Sequence, residues 1–208
     1  MLAFTIVVIA SYLLGSIPFG YIAGRLLGMD IRKVGSGNIG ATNVVRVLGK
    51  RYGYPVFALD FLKGFAAVTL STAVARVADR PAPSPEVFGI SAGIFAVIGH
   101  SFPVWLKFRG GKGVAVSAGA LFGLMPLAAL IGAAIWAAVF LTTRYVSAAS
   151  IAAAVALPLV IWIAARENES DGKALFYASL CLAAFVIWRH RSNVFRLIHG
   201  SEARFTRK

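Results

Sequence analysis

Long runs of apolar residues dominate this chain and limit the folds it can adopt. Crossing the hydrocarbon core of a bilayer takes a helix of roughly 20 mostly apolar residues. Of the 208 residues, 59% are hydrophobic and only 14% are charged, which is typical of a helical membrane protein rather than a soluble domain. We therefore predict an all-α fold, a polytopic bundle of membrane helices. The predicted spans lie at about 2–27, 54–78, 86–106, 127–142, 145–165 and 172–189.

The short apolar segment 112–126 decides the number of crossings, because it either crosses as a thin helix or dips in and returns. Lys and Arg accumulate in cytoplasmic loops. With seven crossings, 16 of the 21 Lys and Arg residues lie on one side, including those of the basic C-terminal tail. The exceptions are Arg76, Arg80, Arg166 and Lys173 on the other side and Lys63 within a span. We predict about seven transmembrane helices in one domain, 1–208, with the N-terminus outside and the C-terminus cytoplasmic.

The formal net charge of +13 raises the question of a nucleic-acid partner. The basic residues are scattered through short loops beside hydrophobic spans, where anionic lipid headgroups attract them equally well. We expect contact with membrane lipid and no nucleic-acid partner.

The first polar stretch, residues 36–46 (SGNIGATNVVR), has the composition of an anion site. Gly37 and Gly40 permit a tight backbone turn, and the guanidinium of Arg46 is a planar fork that matches phosphate or carboxylate. The alternative is a cytoplasmic turn in which Ser36 or Asn38 caps the following helix and Arg46 anchors the chain on the cytoplasmic side. The residues that offer side-chain hydrogen bonds here are Ser36, Asn38, Thr42 and Asn43.

The second polar stretch, residues 99–113 (GHSFPVWLKFRGGKG), ends in three glycines around a lysine. Gly110, Gly111 and Gly113 suggest a nest of backbone N–H groups beside the cation of Lys112, at the start of a short helix. No Walker motif is present, because glycine follows the lysine. The alternative is a flexible loop with an anchoring lysine.

Two further regions carry polar residues near predicted span ends. In 142–150, Ser147 and Ser150 are placed to cap the next helix. In the tail 190–202, His190 and Asn193 are three positions apart, so a continuing helix places them on one face. Glu202 closes that segment, which is too apolar for a purely solvated tail.

Charged residues within the predicted spans are expensive and need partners. Asp60 and Lys63 are three apart on one helix face, and we predict that they pair or face the site. His100 is expected to be structural, and no histidine shows an evident carboxylate partner in the sequence. No Cys/His cluster has metal-ligand spacing, so we expect no metal and no cofactor.

Together, these motifs resemble the bacterial membrane family of acyl-phosphate:glycerol-3-phosphate acyltransferases, the PlsY family. The resemblance covers nearly the whole chain and rests on residues 36–46, 59–64, 99–113, 145–147 and 190–202. It implies formation of lysophosphatidic acid from acyl phosphate and glycerol 3-phosphate, the first acylation of phospholipid biosynthesis. It also implies a site on the cytoplasmic face of the bacterial inner membrane, without coenzyme A or metal.

The resemblance also implies roles for individual residues. Glycerol 3-phosphate would be held by Ser36, Arg46, Lys112, His190 and Asn193. Acyl phosphate would be held by Asn38, Thr42, Asn43, Gly110, Gly111 and Gly113, and Gly37, Ser147 and Glu202 complete the substrate-binding set. The proton would pass to a substrate phosphate rather than to His190. We expect a monomer. A transporter for a small organic anion is the alternative, since cations in a helical bundle also mark transport paths.

Overall fold

The computed structural model describes residues 1–77, 83–164 and 171–205, except the side chain of Asp171. Arg80 and Arg166, which we predict in the outer loops, lie outside the described residues. Within the described ranges the chain forms ten α-helices and two short 3₁₀ turns, at Ile31–Lys33 and Val104–Leu106. The helices are α1 Leu2–Ser16, α2 Phe19–Leu26, α3 Ala41–Leu48, α4 Lys50–Val77, α5 Pro85–Ser101, α6 Val114–Leu124, α7 Pro126–Thr143, α8 Val146–Ala164, α9 Asp171–Arg189 and α10 Arg191–Ile198.

In the part of the chain that the structure describes, six helical stretches are long and apolar enough to cross a membrane. They are Leu2–Leu26, Lys50–Val77, Pro85–Leu106, Pro126–Thr143, Val146–Ala164 and Gly172–Arg189. The predicted all-α, polytopic membrane fold is confirmed. The helix Val114–Leu124 is apolar but has only 11 residues. Whether it makes a seventh crossing, and on which side each terminus lies, remain predictions.

The first apolar run is interrupted, which the sequence analysis did not anticipate. The helix α1 ends at Ser16, Ile17 is extended with φ −61° and ψ 115°, and α2 begins at Phe19. Pro18 explains the break, because its ring disfavours helical geometry at the residue before it and it has no N–H to donate.

Contacts divide the chain into two compact units, Met1–Leu124 and Met125–Lys208. The single functional domain stays a prediction.

In the first unit, α1 and α5 run in the same direction. The ring of Phe4 packs edge-on against Phe88 near their starts, with centroids 5.1 Å apart, and Tyr12 Oη donates to Phe102 O at 2.9 Å near their ends. The helix α4 runs antiparallel to α5, since Lys63 contacts His100 while Thr72 lies against Gly89.

The helices α4 and α6 run parallel and pack closely. A Cβ on Gly64 would overlap the carbonyl oxygen of Val116, and one on Gly123 would lie 2.9 Å from a methyl group of Val68. Small residues at a helix interface let two backbones approach in this way. Given these directions, the ends of α1 and α5 and the starts of α4 and α6 lie at one end of the unit. Both glycine-rich stretches connect helices at that end.

The second unit begins with the antiparallel pair α7 and α8. Arg144 ends α7 in the left-handed conformation, with φ 63°. The indole of Trp136 donates to Ser150 Oγ at 3.2 Å, and Gly132 faces the side chain of Leu157. The helix α9 packs against α8, and α10 follows it after a single residue, His190.

Candidate functional site

Asn43 organises the first glycine-rich stretch. Its side chain is only 1% exposed and uses both ends of the amide. Oδ1 accepts the backbone N–H of Ser36 at 2.8 Å. Nδ2 donates to the carbonyls of Asn38 at 2.9 Å, Val34 at 3.2 Å and Ile31 at 3.3 Å. One buried amide thus fastens four points of the preceding loop to the first turn of α3.

Apolar packing beneath the stretch holds the loop in place. A buried cluster is formed by Ile31, Ile39, Val44, Val56 and Leu106. Glycine is required at position 37, where φ is +70°. The loop is therefore held in place by its apolar residues, while Ser36 and Arg46 are exposed.

The polar residues of this stretch differ in exposure. Ser36, Gly37 and Arg46 are exposed, whereas Asn38 and Thr42 are half-buried. Asn38 Oδ1 accepts the N–H of Gly40 at 2.7 Å inside the loop. The alternative in which Ser36 or Asn38 caps the helix is wrong, because Gly40 is the N-cap of α3 and no side chain caps it.

The second glycine-rich stretch is tied to the end of α5. The N–H of Gly110 donates to Ser101 O at 3.1 Å, and that of Gly111 donates to His100 O at 3.0 Å. These two N–H groups donate to backbone carbonyls at the end of α5 rather than pointing to a ligand, so the predicted nest is wrong for them. Gly113 has φ +84° and accepts the N–H of Ser117 as α6 begins. Lys112 between them is half-buried, and the binding roles of this stretch stay predictions.

Three titratable side chains contact one another inside the first unit, next to the glycine-rich stretch 99–113. Lys63 Nζ lies 2.8 Å from Asp60 Oδ1 and 3.0 Å from His100 Nδ1, and it donates to Ile17 O at 2.9 Å. The predicted pairing of Asp60 with Lys63 is confirmed. The expectation that no histidine has a carboxylate partner is wrong, because His100 Nδ1 lies 3.5 Å from Asp60 Oδ1. The sequence did not indicate this pair, since 40 positions separate the two residues.

Glu202 is the shared hydrogen-bond acceptor for three polar residues of the second unit. Oε1 accepts from Ser147 Oγ at 2.7 Å and from Asn193 Nδ2 at 2.6 Å, and Oε2 accepts from Arg196 Nε at 2.7 Å. Burial by itself would raise the pKa of Glu202. The hydrogen bonds from Asn193, Ser147 and Arg196 outweigh that effect and hold the pKa below its ordinary value.

His190 is buried at the junction of α9 and α10. The helix does not continue, since α10 starts anew after His190, yet His190 and Asn193 are both buried within one turn. His190 Nδ1 lies 2.8 Å from Val186 O. A carbonyl only accepts, so Nδ1 carries the proton, and in the neutral ring Nε2 is the acceptor nitrogen.

The serines at the start of α8 do not cap it. Ser147 bonds to Glu202, and Ser150 Oγ donates to Val146 O at 2.8 Å within the helix. The capping prediction is therefore wrong for both. In the described ranges, no group of three His, Cys, Asp or Glu side chains is arranged to hold a metal ion.

Comparison with known proteins assigns the family. The family model described as glycerol-3-phosphate acyltransferase matches residues 5–200. The chain belongs to the glycerol-3-phosphate acyltransferase family. The Aquifex aeolicus (strain VF5) relative of that name is 42% identical over 204 residues, 95% of this chain and 97% of the relative. The one from Gloeobacter violaceus is 46% identical over 196 residues, 93% and 90% of the two chains.

Solved structures extend the relationship to the fold. The glycerol 3-phosphate form of PlsY (YgiH), an integral membrane glycerol 3-phosphate acyltransferase, has a TM-score of 0.86 and 41% identity, over 98% of this chain and 96% of that chain. The lysophosphatidic acid form of the same protein has a TM-score of 0.84 and 40% identity, over 98% and 95%. The predicted resemblance is confirmed, and this acyltransferase family member is an integral membrane protein.

One feature of this acyltransferase escaped the sequence analysis, namely the course of its C-terminal segment. The N–H of Phe205 donates to Arg144 O at 2.8 Å, and its ring packs edge-on against Phe140. Arg204 Nε donates to Tyr145 Oη at 3.2 Å. The segment that carries Glu202 is thus fastened to the α7–α8 connection beside Ser147. The aromatic residue at 205, in an otherwise basic tail, was the available signal.

Proposed function

We propose that the protein transfers the acyl group of an acyl phosphate to the 1-hydroxyl of glycerol 3-phosphate. The products are lysophosphatidic acid and inorganic phosphate. The observation that carries this proposal is the full-length relationship, at 41% identity and a TM-score of 0.86, to an enzyme solved in a glycerol 3-phosphate form. In the same relative, a second form is named for lysophosphatidic acid, the product expected here.

In the first unit, we assign phosphate recognition to the exposed end of the two glycine-rich stretches. Ser36, Arg46 and Lys112 would bind glycerol 3-phosphate, because a fixed guanidinium and an ammonium complement its dianionic phosphate. The loops would bind acyl phosphate through Asn38, Thr42 and Gly113. Gly37, Gly110 and Gly111 would shape the two loops, because their N–H groups already donate to Val34 O, Ser101 O and His100 O. The amide of Asn43 is already committed to the loop, which supports a positioning role for it.

In the second unit, we assign orientation of the glycerol moiety to His190 and Asn193. The acceptor nitrogen of His190, Nε2, can receive a hydrogen bond from a substrate hydroxyl. Asn193 Nδ2 donates a hydrogen bond to Glu202, which fixes the orientation of the Asn193 amide and so the direction of Asn193 Oδ1. Ser147 shares the same carboxylate oxygen. Glu202 therefore acts by fixing its neighbours.

The chemical step needs no cofactor, because an acyl phosphate is an activated mixed anhydride. The 1-hydroxyl oxygen attacks the acyl carbon, a new C–O ester bond forms, and the C–O bond to phosphate breaks. The hydroxyl proton leaves with the departing phosphate. Placing the hydroxyl against the carbonyl and stabilising charge on the departing phosphate supply the catalysis. Arg46 and Lys112 are suited to that stabilisation.

Location and donor follow as further parts of the proposal. The excess of Lys and Arg on the side that carries both glycine-rich stretches supports a cytoplasmic site in the bacterial inner membrane. A membrane-embedded chain suits a substrate whose acyl tail partitions into lipid. We propose acyl phosphate as donor and a monomer as the active form.

Purified protein in liposomes, supplied with palmitoyl phosphate and radiolabelled glycerol 3-phosphate, tests the proposal. We expect a labelled lipid that comigrates with lysophosphatidic acid, together with one equivalent of inorganic phosphate. Palmitoyl-coenzyme A as the only donor should give no product. Label that enters vesicles without conversion to lipid would contradict the enzyme and support the transporter.

A further inference from the structure

The buried group of Asp60, Lys63 and His100 has no part in the chemistry described above. The side chains of Asp60 and Lys63 are 3% and 2% exposed, and that of His100 is 5% exposed. Charges at membrane depth are costly, and a buried ion pair is frequently no more stable than apolar residues of the same volume. A contribution to stability therefore does not by itself explain the presence of this group.

The contacts of Lys63 define the state of His100. The ammonium group has three hydrogens and no acceptor. It donates to Ile17 O and His100 Nδ1 and forms its ion pair with Asp60. Nδ1 of His100 is then the acceptor nitrogen, so the ring proton lies on Nε2. The ion pair with Asp60 holds the ammonium group of Lys63 against Nδ1 of His100.

The other edge of the His100 ring meets the second glycine-rich stretch. A Cβ on Gly111 would overlap His100 Nε2, so the imidazole occupies the space where any other residue would carry its side chain. The carbonyl of His100 also accepts the N–H of Gly111 at 3.0 Å. Gly111 is held from both the ring and the backbone of the same residue.

The same ammonium reaches the break in the first span. Ile17 O, at the interruption before Pro18, accepts from Lys63 Nζ at 2.9 Å. One cation therefore links three elements of the first unit: the α1–α2 break, α4 and the end of α5. Each of these has a fixed position relative to the loop.

We propose that Asp60, Lys63 and His100 form a positioning network that fixes the backbone conformation of the 110–113 loop through the contact of His100 with Gly111. None of the three touches substrate. The network holds the His100 ring against Gly111, and the loop geometry determines how well the acyl phosphate is bound. This inference rests on the proposed function, in which that loop binds the donor.

The first test measures steady-state kinetics of Lys63→Met, Asp60→Asn and His100→Gln. Because a displacement of about 1 Å can cost on the order of 100-fold, we expect KM for palmitoyl phosphate to rise by about 10-fold or more. KM for glycerol 3-phosphate should rise less, because of the residues assigned to that substrate only Lys112 lies in this loop. Ser71→Ala is the matched control, since Ser71 is a buried polar residue of the same helix that bonds only to Val68 O among the described contacts. Equal changes in both KM values would overturn the proposal.

The second test is a double-mutant cycle between Gly111 and His100. Gly111→Ala should lose donor affinity because its methyl group meets the imidazole, whereas His100→Ala removes the ring. If the ring sets the loop, the double variant should be no worse than His100→Ala alone. Losses that simply multiply would show that the two positions act independently and would contradict the network.

A third measurement needs no variant and remains valid if the variants fail to fold. The chain contains three histidines. His190 and His199 each place Nδ1 2.8 Å from a carbonyl, which requires the Nδ1–H form in the neutral ring. Nitrogen-15 NMR of histidine-labelled protein, recorded at a pH where the spectrum contains only neutral rings, should show one Nε2–H ring and two Nδ1–H rings. A spectrum without the Nε2–H ring would overturn the assignment to His100.

These outcomes separate the inference from the proposed function. Failure of wild-type protein to form lysophosphatidic acid would reject the function but leave the NMR result unchanged. Normal wild-type turnover, combined with unaltered donor KM in all three variants, would reject the network alone.

Discussion

Ser147 and Glu202 are 55 positions apart, yet the Ser147 hydroxyl donates to Glu202 Oε1 at 2.7 Å. Asn193 donates to the same oxygen at 2.6 Å, and Arg196 to the other. A residue of the C-terminal segment thus joins the start of α8 to α10. The carboxylate, rather than the serine, is the centre of this arrangement.

The first prediction concerns the pH dependence of stability. Because the hydrogen bonds lower the pKa of folded Glu202, its ionised form stabilises the fold at pH values above its unfolded pKa, near the ordinary 4.5. That contribution is lost as pH falls through the folded value. The Tm in detergent should therefore be higher for wild type than for Glu202→Gln at pH 7, and the gap should narrow below about pH 4.5. A difference in Tm between the two proteins that does not change with pH would contradict the stabilising role assigned to ionised Glu202.

The second prediction concerns the two cations of the first unit. Arg46→Ala and Lys112→Ala should lower kcat/KM by on the order of 100- to 1,000-fold, the usual effect of removing a donor that stabilises developing charge. Their Tm should match wild type, because Arg46 is exposed and Lys112 half-buried. Arg51→Ala, an exposed cation at the start of α4, is the control. Acyl transfer at the wild-type rate in either variant would refute the role given to that residue.

The third prediction concerns the amide of Asn43. Asn43→Ala removes one acceptor and two donors from a site that is 1% exposed, and leaving a buried partner unsatisfied costs about 1–3 kcal/mol. We expect faster proteolysis within residues 31–40 and a lower Tm. Asn43→Asp should behave similarly, because a carboxylate cannot donate to Asn38 O and Val34 O. An ordered loop in both variants would argue that apolar packing alone holds it.

The fourth prediction concerns the proton acceptor. If the leaving phosphate takes the hydroxyl proton, His190→Gln should raise KM for glycerol 3-phosphate while keeping most of kcat. The pH profile of kcat should keep its shape, because no histidine titration controls the step. If a change of kcat with pH near neutrality is present in wild type but absent in this variant, His190 is a general base instead.

The fifth prediction concerns helix packing. Gly64→Ala places a methyl group against the carbonyl of Val116, where only backbone can move, and overpacking of this kind costs about 1–3 kcal/mol. Gly132→Ala is the matched control, since its methyl would meet the tip of the Leu157 side chain, which can move aside. The Tm of Gly64→Ala should fall clearly below that of Gly132→Ala. Equal Tm values would contradict the close approach of α4 and α6.

Apolar length and local turn chemistry made much of the fold predictable. In the described residues the six long runs are helical and long enough to span a membrane, although the first is broken at Ile17. Both glycine-rich stretches lead into a helix, because hydrophobic length and glycine placement act locally. The Asp60–Lys63 pair was also predictable, since residues three apart share a helix face. The break at Pro18 had a local cause but was hidden within a continuous apolar run.

The amino-acid sequence by itself determined the helical membrane character, the polar stretches and the family. Tertiary structure alone decided which polar groups are partners: His100 with Lys63 and Asp60, Ser147 with Glu202, and Phe205 with Arg144. The physical reason is that hydrogen bonds and ion pairs depend on distances of about 3 Å. Residues that lie 37 to 61 positions apart come within that distance only after the helices have packed.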